Sequence, residues 1–116
     1  AIENIRSSLE TFENLSRWPP GFWYNYYHTH NLRVTRKYVS VVDNGWLAAG
    51  FVVIRQAFPA EFGDKATELL KGLDFSTFYD SSNGQLKLGF DAEKDLFSPY
   101  PDRLFFSEED RFLFVY

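Results

Sequence analysis

The chain has 116 residues, 45% of them hydrophobic and 24% charged, with a formal net charge of -4. That length suffices for one domain with a real core and not for two. The acidic balance argues against nucleic acid, whose phosphates need a basic face, and the lack of cysteine excludes disulfides, thiolate chemistry and zinc–thiolate sites.

No run of about 18 or more apolar residues occurs, so no membrane span is expected, and no secretory signal opens the chain. The sequence starts at Ala1 and contains no methionine. Both features lead us to expect a processed product or an internal piece of a longer polypeptide.

From Ile2 to Leu15 the apolar residues Ile2, Ile5, Leu9, Phe12 and Leu15 recur at steps of three and four. This spacing predicts an amphipathic helix with Glu3, Arg6, Glu10 and Glu13 turned outward. Pro19 and Pro20 stop it, because proline removes a helix donor and restricts the residue before it. GFWYNYYHTHNLRVTRKYVSV then reads as extended chain that reverses between His28 and Asn31. Its Arg33, Arg36 and Lys37 form a small basic cluster, expected as a solvated strand edge.

The next helix is nearly devoid of polar residues between Trp46 and Ile54. A helix apolar on every side is expected to have protein all around it. Asp43 stands at its entrance, where a carboxylate can accept hydrogen bonds from the free amides of the first turn. Pro59 opens a second helix with one apolar stripe, Phe62, Ala66, Leu69, Leu70 and Leu73, and Gly72 near its end. The pair is expected to pack as a helical hairpin, the first helix hidden and the second half wet. FSTFYDSSNGQLKLGFD reads as a β-hairpin turning at Ser82-Asn83-Gly84. DAEKDLFSPYPDR reads as loop, and LFFSEEDRFLFVY as a helix with Ser107 as its cap. Phe112 to Tyr116 is strongly apolar, and exposed aromatic surface of that kind invites association. Three helices and two hairpins hardly enclose so apolar a helix as the one from Trp46, so the chain is expected either to pack against further protein or to oligomerise through that surface.

The stretches VSVVDNGWLAAGFVVIRQAFP, LLKGLDFSTFYDSSNGQLKLGFD and FSPYPDRLFFSEEDR together resemble the glucoamylase-like family of bacterial glycoside hydrolases. That group includes enzymes acting on β-1,2-glucans and domains related to cyclic glucan synthases. GFWYNYYHTHNLR is similar to the aromatic stretch ahead of that motif, so the likeness runs from about Pro20 onward. It implies a toroid of six helical hairpins with the active site at one end. A full toroid needs on the order of 200 residues. Residues 1–116 are therefore expected to be a single unit, mostly α with β-hairpins, forming an N-terminal or internal portion of such a domain.

The resemblance also implies chemistry: a glucan as substrate, paired-carboxylate hydrolysis, no cofactor, and a periplasmic or secreted location. It places the acid of the V-D-N motif, Asp43, in or beside the sugar cleft; the competing reading of Asp43 is a plain helix cap. Ser107-Glu108-Glu109-Asp110-Arg111 resembles the family's Ser/Thr-Glu-x-Arg pattern. The arginine falls one position late if Glu108 matches, and the serine is missing if Glu109 does, so both acids remain candidates beside a simple capping box. Hydrolysis needs two carboxyl groups roughly 5 to 9.5 Å apart.

Trp23, Tyr24, Tyr26, Tyr27 and Trp46 offer flat faces for sugar rings. Trp23, Tyr26 and Trp46 are the substrate-binding candidates, weighed against core filling. His28-x-His30 is too small a set for a metal site. Asn14-Leu15-Ser16 fits the glycosylation pattern but falls on an expected helix. The other classes carried forward are a non-catalytic carbohydrate-binding module and an interaction protein that docks through its apolar end. The expected partners are an oligo- or polysaccharide and the remainder of the toroid or a partner chain.

Overall fold

The computed structural model describes residues 1–19 and 21–98. Helix α1 covers Ile2–Asn14, as the three-four spacing predicts, and buries Leu9. Two antiparallel pairs follow: β1 (Arg17–Trp18) with β2 (Phe22–Trp23), then β3 (Tyr26–Tyr27) with β4 (Val34–Arg36). The second pair reverses through residues 28–33, where Leu32 adopts a positive φ of 60° and the His28 amide donates to the Arg33 carbonyl. Strand β5 (Tyr38–Ser40) runs directly into α2 (Val41–Ala57).

A single residue, Phe58, separates α2 from α3 (Pro59–Lys71). Pro59 suits the first helical position because its missing N–H would have no partner there. The two helices form the expected hairpin, and α1 packs against α3. Past α3, a 3₁₀ turn at Phe75–Phe78 is capped by Asp74, whose carboxylate accepts from the Ser76 amide. The expected β-hairpin is shortened to β6 (Tyr79–Asp80) and β7 (Gln85–Leu86), with Gly84 at φ 70° in the turn. Strands β8 (Gly89–Asp91) and β9 (Leu96–Phe97) complete a three-stranded antiparallel sheet in the order β5-β8-β9. The stretch read as loop thus contains an edge strand.

Two aromatic clusters hold these parts together. Phe22 meets Phe75 and Phe78 edge-to-face at 5.2 and 5.0 Å, and Trp18 stacks on Phe90 at 4.5 Å. On the other side of β2, Phe12, Trp23 and Phe51 contact one another at 5.5–5.9 Å. Strand β2 therefore sits between the helices and the sheets, which fixes the segment that follows it.

Two expectations are corrected. Among the described residues there are three helices and four small antiparallel sheets, a mixed α and β arrangement with no toroid. The aromatic and β-branched residues of 17–40 and 79–97 pair as strands, so sheets stand where a ring would need further helices. Second, α2 is not hidden. It buries Val41, Asn44, Gly45, Ala48 and Phe51, while Trp46 is 59% exposed and Val53 65%. Composition alone could not show this, because the side turned to water is as apolar as the buried one. The helix read into LFFSEEDRFLFVY, with Glu108 and Glu109, lies outside the described residues.

Candidate functional site

The entrance of α2 is closed by Ser40 and Asn25 rather than by its acid. The cap is Ser40, whose Oγ accepts the Asp43 amide at 3.3 Å. Asp43 is therefore a first-turn residue and not the cap that its position suggested. In a capping box an acid at this position would reach back to the cap's own amide. Here the Ser40 amide donates instead to Asn25 Oδ1 at 2.9 Å. The same Asn25 side chain donates through Nδ2 to Asp43 Oδ2, and its backbone amide donates to the Tyr38 carbonyl at 2.9 Å. Asn25 thus takes the part that the acid plays in a capping box, accepting the Ser40 amide, and orients the carboxylate. Asp43 Oδ1 has no hydrogen-bond partner among the described residues, and the residue is exposed.

Asn44, one residue on, ties β2 to the helix. Its Oδ1 accepts from the Trp23 amide at 2.9 Å, and its Nδ2 donates to the carbonyls of Trp23 at 3.0 Å and Ser40 at 2.8 Å. At 3% exposure the amide is costly to bury unless fully bonded. These three bonds satisfy it and lock the strand's register against the helix.

A cleft of about 400 Å³ opens beside Asp43, walled by Phe12, Leu15, Tyr24, Tyr27, Asn25 and Leu47. That is near the lower end of ligand pockets, roughly 300–1,000 Å³. Tyr27 accepts the Tyr24 amide at 3.0 Å and donates to the Ser16 carbonyl at 2.5 Å. Burial pushes the phenols of both Tyr24 and Tyr27 above their usual range, so both stay neutral hydroxyls at physiological pH. Asp43 is the one carboxylate that lines the cleft among the described residues.

The candidates fall in four places. Asp43 stands at the cleft. Trp23 forms its inner wall but is 3% exposed, and its indole N–H donates to the Phe12 carbonyl at 3.1 Å, closing the end of α1. Trp46 projects from the outer face of α2, off the cleft wall. Tyr26 lies on the β3–β4 pair, where the Arg36 guanidinium sits 5.6 Å from its ring and 5.5 Å from that of Tyr38. Glu108 and Glu109 lie outside the described residues. At the hairpin tip, His28 Nδ1 accepts from the His30 amide at 3.1 Å. Among the described residues no group of three or more histidines or acids could hold a metal ion. No helix there is long and apolar enough to cross a membrane.

Reading the sequence did not single out Asn25 and Asn44, although each leaves a trace. Both are lone amides inside strongly apolar runs, one among the aromatics of 22–27 and one in an apolar helix. A polar group that breaks a local pattern in this way often marks a built site. In comparisons with known proteins, the chain matches no family model, no curated protein and no solved structure.

Proposed function

We propose that the cleft beside Asp43 binds a sugar unit of a gluco-oligosaccharide, in a protein of glycoside hydrolase-like ancestry. The observation that carries this reading is the freedom of Asp43. Ser40 caps the helix, so the helix does not require the acid as its cap, and Asn25 holds the carboxylate at the mouth of an aromatic cleft. Sugars present hydroxyl donors around C–H faces. A carboxylate that only accepts hydrogen bonds suits the first, and the rings of Tyr24 and Tyr27 suit the second. The resemblance of the V-D-N stretch supports the same residue.

Hydrolysis is the second reading, and it requires another carboxyl group. Asp43 would act as base or nucleophile, and Glu108 or Glu109 would supply the proton. The lone carboxylate of the described cleft favours binding over turnover.

Calorimetric titration with a panel of gluco-oligosaccharides of different linkage tests both. Binding should appear for at least one linkage and weaken at least tenfold in Asp43→Ala. The charge at the helix start contributes about 0.3–1 kcal/mol of stability, so the variant should stay folded. Unchanged affinity in the variant removes Asp43 from the site. Release of reducing ends from the bound oligosaccharide would select hydrolysis, and its absence would select binding alone.

A further inference from the structure

Three faces of the molecule are turned to water, and they are not alike. The outward side of α3 carries Glu61, Asp64, Glu68 and Lys71, and that of α1 carries Glu3, Glu10 and Glu13. The outward side of α2 beyond Asp43 carries Trp46, Gly50, Val53 and Ala57, all exposed. At 100° per residue these four positions share one narrow stripe, about 17 Å long at 1.5 Å per residue. A helix face left to solvent ordinarily bears charge, and this stripe bears none. Gly50 lies at its centre, and a Cβ there would meet nothing within 4 Å. A notch therefore separates the Trp46 and Val53 side chains, suited to a ring inserted from outside.

The route of the chain names the occupant. The Ser98 amide donates to the Gly89 carbonyl at 2.9 Å, and Gly89 pairs with Ser40, the cap of α2. Residue 98 therefore lies about two strand spacings, roughly 10 Å, from the cap of α2. An extended chain covers about 3.3 Å per residue, so residues 99–104 span about 20 Å, enough to reach the Trp46 end of the stripe. The sequence beyond them, LFFSEEDRFLFVY at 104–116, concentrates Phe105, Phe106, Phe112, Phe114 and Tyr116.

We propose that the Trp46–Gly50–Val53 stripe of α2 is the docking groove for the chain's own segment 104–116. Burying aromatic rings in the groove removes two apolar surfaces from water at once, and no second molecule has to be recruited. The inference stands apart from the sugar reading, because the stripe does not line the cleft.

The natural chain has no cysteine, so introduced thiols report cleanly. Gly50→Cys is combined, one pair at a time, with cysteine at 105, 106, 112 or 114 in the full chain and oxidised at low micromolar concentration. At least one pair should close an intrachain disulfide in a monomer, and the same partners combined with Glu61→Cys on α3 should not. In parallel, Val53→Asp should lower the urea midpoint of the full chain, whereas a residue left in water would tolerate the change. The absence of any intrachain bond overturns the proposal. Exclusive interchain bonds also overturn it and give the stripe to a second copy. An unchanged Val53→Asp midpoint does the same.

Discussion

Tyr27 shows how one side chain links the cleft to the fold. Its hydroxyl bridges the Tyr24 amide and the Ser16 carbonyl, so it joins β3 to the turn after α1. Tyr27→Phe should cost about 1–2 kcal/mol at neutral pH, since two backbone groups lose their partner. Burial holds this phenol above its usual value of 10.0. A folded pKa above the unfolded one gives stability that is complete below pH 10 and is lost as pH rises through the raised value. Urea unfolding from pH 7 to 11 should therefore show a constant gap between the two proteins up to about pH 10 and a shrinking gap above it. A gap that stays level to pH 11 would contradict the burial of the neutral phenol. Asn25 and Asp43 make the complementary point at the same scale. The acid was visible in the sequence from its place before an apolar helix. The amide that aims it was not, because its partners lie 15 and 18 residues away in sequence.

At the scale of elements, periodicity served where one face of a helix is wet. Helix α1 and the stripe of α3 could be read directly, since polar residues mark the outward side of each. Helix α2 defeated the same reasoning: its exposed and buried faces are both apolar, so composition pointed to complete burial. The short strands were legible as extended chain, but their partners were not. Strand β5 pairs with β8 across about 50 residues, and no local pattern encodes that choice. Contacts between elements also hinge on close approach. A Cβ on Gly21 would lie 2.5 Å from the Cα of Gly72, where the β1–β2 turn presses on the end of α3. The atoms it would meet on Gly72 are all backbone, so they cannot swing aside. Gly21→Ala should lower stability by about 1–3 kcal/mol, the usual cost of forcing extra volume into a packed contact. A denaturation midpoint equal to that of the parent would contradict the close contact.

For the whole molecule, the arrangement is three helices on one side of strand β2 and small sheets on the other, with the cleft where β2, β3 and the start of α2 meet. The resemblance to a toroidal hydrolase drew attention to Asp43, which lines the cleft, while the fold it implied is not the one formed by the described residues. Those two outcomes are compatible, because a site depends on a few positioned groups and not on the architecture around them. The most direct measurement is nitrogen-edited NMR of the full chain titrated with gluco-oligosaccharides. With a sugar in this cleft, the side-chain amide of Asn25 and the backbone amides of Tyr24 and Asn44 should shift together with one saturation curve, while those of Tyr26 and Arg36 stay still. Signals that remain in place around Asp43 at saturating sugar, or that move only on the β3–β4 pair, would contradict a sugar site in this cleft.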